Sequence, residues 1–271
     1  MEQSKFKGYA NSFQAIARLG LENIGCLLAH LGNPQDKLRF VHIAGTNGKG
    51  SVAAFLSAML THAGYRTGSY ISPNMLRVNE RISIDGTEVT DEAMKQLFTV
   101  VETACKAAEA DTGVYPTQFE IWTAMAFCYF AEQDCDYVVL ETGLGGRRDA
   151  TNIVTTTVLS VITHIALDHM QYLGDTIAQI AAEKAGIIKR GAKTVSARQE
   201  AGAAEVLRRV CIEKENPLTF AEKILPGSFD GIYEILSSGD FAGVKLSLGG
   251  VNQIDNAACA IAAARALGLH D

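Results

Sequence analysis

The stretch VHIAGTNGKGS at 41–51 constrains the chain more than any other part of it. A short apolar run, RFVHIA at 39–44, leads into G-T-N-G-K-G-S, and an apolar helical pattern follows from Val52 to Ala63. Strand, glycine-rich turn and helix in that order make a phosphate cradle. Glycines let the backbone wrap an anion with its N–H groups turned inward. The helix N-terminus adds roughly half a positive charge. Thr46, Asn47, Gly48, Lys49, Gly50 and Ser51 are therefore candidate ATP-binding residues, with Lys49 on the terminal phosphates and Ser51 near a magnesium ion. The pattern departs from G-x-x-x-x-G-K-[ST]: Ile43 stands where the first glycine would, and Gly50 follows the lysine. A tight strand-to-helix turn that needs glycine for its own sake is the alternative reading.

The rest of the chain alternates strand-like and helix-like patches. Phe13, Ile16, Leu19, Ile24, Leu27 and Leu28 predict a helix over 13–31. Residues 67–71 read as a strand, 72–90 as a long polar loop, and 91–110 and 118–132 as helices. YVVLE at 137–141 and TVLSVIT at 157–163 are continuous apolar runs, as expected of central parallel strands covered on both faces. Thr176 and Gln179 have capping-box spacing for a helix running to about Ala185. TVSA at 194–197, a helix over 201–214, weaker strands near 232–236 and 243–248, and a helix over 253–267 complete the pattern. Such alternation predicts an α/β fold with a mostly parallel, doubly wound sheet, here one domain over 1–271. Ligands in such sheets sit at the carboxyl ends of the strands.

Charge and composition narrow the function. The net charge of −6 argues against a general nucleic-acid binder, which needs a basic face. The N-terminus lacks the apolar core of a signal peptide, and no run approaches the ~18 apolar residues of a membrane helix. The cysteines at 26, 105, 128, 135, 211 and 259 include no C-x-x-C pair. Neither a disulfide scaffold nor a zinc site is expected, and a reduced, cytoplasmic compartment is. A monomer is expected, since no interface pattern stands out.

Several strings recur together in one family. GTNGKGS, SPNMLRVNERI at 72–82, TQFE at 117–120, LETGLGGRRDATN at 140–152, ITHIALDHMQYLG at 162–174, IAAEKAGIIKRG at 180–191 and GGVNQIDNAA at 249–258 follow in order. In these the chain resembles the folylpolyglutamate synthase/dihydrofolate synthase family of the Mur-ligase superfamily. Asn74 and Asn252 stand where the family usually carries histidine.

The resemblance implies a Mur-ligase central-domain fold and an ATP-dependent ligase. A folate or dihydropteroate carboxylate is phosphorylated, and the amine of L-glutamate attacks the acyl phosphate. It implies two Mg2+ ions, with Ser72, Glu141 and His169 as ligands and Asp168 orienting the imidazole. It further implies a carbamylated Lys184, and catalytic roles for Lys49, His169 and Lys184. Thr117, Gln118, Phe119, Arg148, Asp149 and Ala150 match the folate side, and Asn256 matches an ATP contact. Simple helix-start core for Phe119 and a helix cap for Asn256 stay open. Arg77 and Arg81 lie in the 72–90 loop, expected to be mobile and to close over folate. The family's smaller C-terminal domain would begin where this chain stops. Its absence predicts weak ligation or none, with an isolated Mg-ATP-binding module as the alternative function.

Overall fold

Residue-by-residue alternation along buried strands decides which helices cover which face. In the computed structural model, which describes residues 20–269 except 225, 230–233, 239, 240 and 247, β1 (Phe40–Ala44) is buried throughout. Phe40 points into a core shared with α1 (Glu22–His30), α3 (Asp91–Thr112) and α4 (Gln118–Glu132). Val41 and Ile43 point the other way, into a core shared with α2 (Lys49–His62) and α8 (Asn252–Leu267). A strand apolar on both sides needs helices on both sides, which is the doubly wound arrangement.

The remaining strands of the main sheet are β2 (Thr67–Tyr70), β3 (Ile82–Ile84), β4 (Thr87–Glu88), β5 (Tyr137–Glu141), β6 (Thr157–Ile162), β7 (Lys193–Ser196) and β8 (Leu218–Phe220). The eight run in the order β4-β3-β2-β5-β1-β6-β7-β8. From β2 to β8 the pairs are parallel, and β3 and β4 add an antiparallel edge. The fold is thus the mostly parallel α/β sheet the alternation predicts. Chain order reverses around β1, whose neighbours are β5 and β6. A crevice at the carboxyl ends of these strands is the position where such sheets bind ligands.

Beyond β6, the short α5 (Met170–Leu173), α6 (Ile177–Lys184) and α7 (Ala201–Glu213) pack on Ala44 and Ile162 through Leu173, Ile180 and Leu207. The Thr176–Gln179 capping box starts α6 as predicted. A second, antiparallel sheet has the order β11-β10-β9, with β9 at Pro226–Phe229, β10 at Glu234–Ser238 and β11 at Phe241–Lys245. Leu236 of β10 packs against Ile254 and Ala257 of α8. No described helix is long and apolar enough to cross a membrane.

Several expectations need correction. Residues 72–90 are not one long loop: a 3-10 turn at Val78–Arg81 leads into the β3–β4 hairpin. Asp85 and Gly86, at φ 51 and 76, form the two-residue turn, and Ile82 and Ile84 are buried. An Asp-Gly pair between short strands is a strong hairpin signal, and it outweighs the polar composition around it. β8 and β9 were not expected, and the strands expected near 232–236 and 243–248 form a separate sheet. Helix α2 begins at Lys49, ahead of Val52, because the apolar pattern starts only after the loop's own first turn. Of the helix expected over 13–31, Glu22–His30 is helical, and residues 13–19 lie outside the described residues.

The core across β1 and α4 should be sensitive to truncation. Phe127 is fully buried, with its ring centroid 5.3 Å from that of Phe40 in an edge-on arrangement. Phe127→Ala should lower the unfolding free energy by about 3–5 kcal/mol in urea titrations, with little change in the m-value. A loss below about 1 kcal/mol would show that the site collapses freely.

Candidate active site

The glycine-rich loop is fastened from two sides. The Thr46 and Asn47 amides donate to the His164 carbonyl at 2.8 and 3.2 Å. The Thr46 hydroxyl donates to the Ala166 carbonyl and accepts from the Ala166 amide, both at 3.1 Å. These bonds tie the loop after β1 to the loop after β6. Two glycines sit where a Cβ would collide with a neighbour. A Cβ on Gly45 would fall 1.8 Å from the Thr163 hydroxyl oxygen, and one on Gly48 would fall 2.1 Å from Asn256 Oδ1. Gly48 also has φ +87 and caps α2. The first turn of α2, from Lys49 through Gly50 and Ser51, carries no acidic side chain. Its leading N–H groups belong to the set that a helix cannot satisfy internally, which suits an anion.

Asn256 thus sits directly over the loop, with its amide donating to Gln253 Oε1 at 2.9 Å. It lies inside α8 rather than at its start, which corrects the helix-cap alternative.

Three charged groups converge beside the loop. Glu141 ends β5 and is 4% exposed; Lys49 Nζ lies 3.9 Å from its Oε1. Burial pushes the Glu141 carboxyl up to about 7, against the pull of Lys49 and of the Ser72 amide, which donates to Oε2 at 3.2 Å. Lys184, the last residue of α6, is buried rather than solvated, and its Nζ donates to the Gly45 carbonyl at 2.7 Å. Burial, with the charge of Lys49 nearby, lowers its amine to about 8. A buried carboxylate this short of compensating charge suits a hard divalent cation.

Ser72 reaches the site through its backbone, beside a cis peptide to Pro73. His169 is more exposed and left-handed, at φ 47, in the loop after β6. Asp168 does not hydrogen-bond its imidazole: Nε2 is 3.6 Å from Oδ2, while the His169 amide donates to Oδ1 at 2.8 Å. The expected orienting contact is thus replaced by a bond that shapes the backbone.

On the opposite face, the folate-side candidates divide by role. Thr117 caps α4: its hydroxyl accepts from the Glu120 amide at 3.3 Å, and the buried Glu120 carboxylate accepts from the Thr117 amide at 2.7 Å. The T-Q-F-E string is itself a capping box, a signal the sequence carries openly. Gln118 opens the helix. Phe119 packs against Gly143 with its ring centroid 6.1 Å from that of Tyr70, at the border of core and crevice. Arg148 is half-exposed and lies 3.6 Å from Glu183, which also faces Arg147. Ala150 and Asp149 are buried. The Asp149 carboxylate accepts from the amides of Leu144 at 2.8 Å and Thr151 at 3.0 Å, so it braces the loop after β5 from within.

Glu80, which the sequence reading passed over, holds the segment after Ser72. Its carboxylate accepts from the amides of Met75, Leu76 and Arg77 at 2.7 to 2.9 Å, and these bonds lower its pKa. Met75 and Leu76 remain about nine-tenths exposed at the tip. Arg77 faces Asp91 at 3.7 Å, and Arg81 donates to Asn74 Oδ1 at 2.8 Å.

The Mur ligase middle domain matches residues 43–264 of the chain. The dihydrofolate synthase/folylpolyglutamate synthase of Bacillus subtilis is 42% identical over 254 residues, which is 90% of this chain and 59% of that protein. The chain thus spans somewhat over half the length of that relative. A Mycobacterium tuberculosis folylpolyglutamate synthase complexed with ADP and AMPPCP superposes with a TM-score of 0.87 at 32% identity, covering 98% of this chain and 62% of that one. An FPGS–AMPPCP–folate complex gives a TM-score of 0.90 at 34% identity, covering 98% and 67%.

Glu141 should destabilise the metal-free fold at neutral pH. Its carboxyl ionises near 4.5 when unfolded and near 7 when folded, so its contribution is favourable below about 4.5 and is lost as the pH rises through 7. With metal chelated, Glu141→Gln should raise the unfolding free energy above pH 7 by up to about 3 kcal/mol, and the gain should vanish near pH 4.5. Thermal melts across this range check it; equal melting temperatures at pH 8 would count against a buried, undercompensated charge.

Proposed function

Because the chain belongs to the folylpolyglutamate synthase/dihydrofolate synthase family of Mur ligases, we propose that it binds Mg-ATP for the ligation of L-glutamate to a folate or dihydropteroate carboxylate. The observation that carries this reading is the convergence of Lys49, Glu141 and Lys184 on one glycine-cradled helix N-terminus.

In this reading the helix N-terminus and Lys49 hold the triphosphate, with Thr46 to Ser51 and Asn256 around it. The γ-phosphoryl group passes to a carboxylate oxygen of the acceptor, and ADP leaves. The amine of glutamate then attacks the acyl carbon and loses a proton, and inorganic phosphate departs. Glu141, Ser72 and His169 would hold magnesium, which when bound neutralises phosphate charge. A second ion would lie beside a carbamylated Lys184. Formation of that carbamate needs a neutral amine, and an amine lowered to about 8 supplies one near neutral pH. Phe119 offers a face for a pterin ring, and Arg148 a cation for the acceptor's negative charge. The related structures that carry ADP, AMPPCP and folate support both halves of this assignment.

Lys49→Ala should abolish binding of ATP with magnesium by calorimetry while leaving the melting temperature within a few degrees of the parent; unchanged affinity would overturn the phosphate role. ATP bound without glutamate-dependent ADP release would favour the narrower function of a Mg-ATP-binding module for this chain.

Carbamylation is separately testable. Isotopically labelled bicarbonate should give a carbamate signal by NMR that disappears in Lys184→Met. The same signal in both proteins would place the modification elsewhere.

A further inference from the structure

Away from the crevice, a cysteine, a histidine and an aspartate meet between two helices. Cys26 and His30 are one turn apart on α1, so they share a face. Asp111, in the last turn of α3, faces both: its Oδ2 lies 3.9 Å from Cys26 Sγ and 2.7 Å from His30 Nε2. All three donor atoms fall within 4.8 Å of one another, the one such group of three among the described residues. Cys26 is half-buried, while His30 and Asp111 face solvent, so an ion can enter.

We propose that Cys26, His30 and Asp111 form a transition-metal site, selective for Zn2+ and distinct from the nucleotide crevice. The donor set decides the class. A thiolate and an imidazole beside one carboxylate favour zinc, whereas magnesium and calcium take oxygen donors. Tetrahedral bonds of ~2.0–2.3 Å put donor atoms ~3.3–3.6 Å apart. The observed separations bracket that range, and the two exposed side chains have freedom to adjust. Three protein donors leave a fourth position for water. His30 and Asp111 also lie at helix C-terminal ends, where unpaired carbonyls favour a cation. On binding, the Cys26 thiol proton passes to solvent, and the thiolate and carboxylate together balance the charge of the ion.

Such an ion would clamp α1 to the end of α3. The neighbouring polar contacts run toward the start of α4. Asn23 accepts from the Thr112 hydroxyl at 3.3 Å and donates to Glu120 Oε2 at 3.0 Å, and Glu120 is the carboxylate of the α4 cap. The ion would therefore stiffen the support of the folate-side helix from behind.

The test uses metal-stripped protein titrated with Co2+, whose spectrum reports sulfur ligation and tetrahedral geometry. One equivalent should produce a thiolate-to-cobalt charge-transfer band in the near ultraviolet, and Zn2+ should displace it while Mg2+ should not. Cys26→Ser should remove the band and Cys128→Ser should keep it. His30→Ala and Asp111→Asn, both surface changes, should weaken Co2+ binding at least tenfold, with folding checked by circular dichroism. Zn2+ should raise the melting temperature of the parent but not of Cys26→Ser. Absence of the band, or a band unchanged in Cys26→Ser, would overturn the site and leave His30–Asp111 as an ion pair beside a thiol.

Discussion

The hydrogen bond from the buried Lys184 amine to the Gly45 carbonyl, 2.7 Å long, is the constraint on which the site depends. It joins the end of α6 to the start of the phosphate loop, across 139 residues of chain. Burial disfavours the charged amine, and Lys49 disfavours it further. The fold tolerates this because the loops after β1 and β6 brace each other and the loop after β5 is braced from within. Thr46 is locked to Ala166, and Asp149 gathers the amides after β5. Crowding like charge beside a buried carboxylate is poor for stability and good for an anion and its counterions. That is the usual trade in a binding crevice.

Much of this was legible in the sequence because it rests on local periodicity. The apolar runs at 137–141 and 157–163 became central strands, the second ending at Ile162, and Thr176–Gln179 capped its helix. Glu141 was legible as a strand-end carboxylate. Its elevated pKa was not, since that depends on what surrounds it in three dimensions. Two local signals were present but masked by the composition or the string around them. Asp85-Gly86 marked a hairpin hidden in a polar stretch, and Thr117–Glu120 marked a cap inside a string that also suggested ligand binding. Cys26, His30 and Asp111 were illegible for another reason. Asp111 lies 85 and 81 residues from the other two, and no spacing rule links donors brought together only by helix packing.

The same separation in sequence has a consequence for how the molecule is made. The crevice draws Gly45, Glu141, Ala166, Lys184 and Asn256 from the ends of parallel strands, the loops that follow them and two separate helices, so no short stretch of the chain contains a working fragment of it. Loop closures of this length oppose folding before any contact rewards them, and parallel pairing makes them slow. The phosphate cradle therefore comes into existence only when the central sheet has closed. A nucleotide that recognises the closed cradle and not the open chain adds its binding energy to the native state alone. Asn256, which sits over the loop, arrives on α8, so the crevice is complete only when that helix has packed against α2.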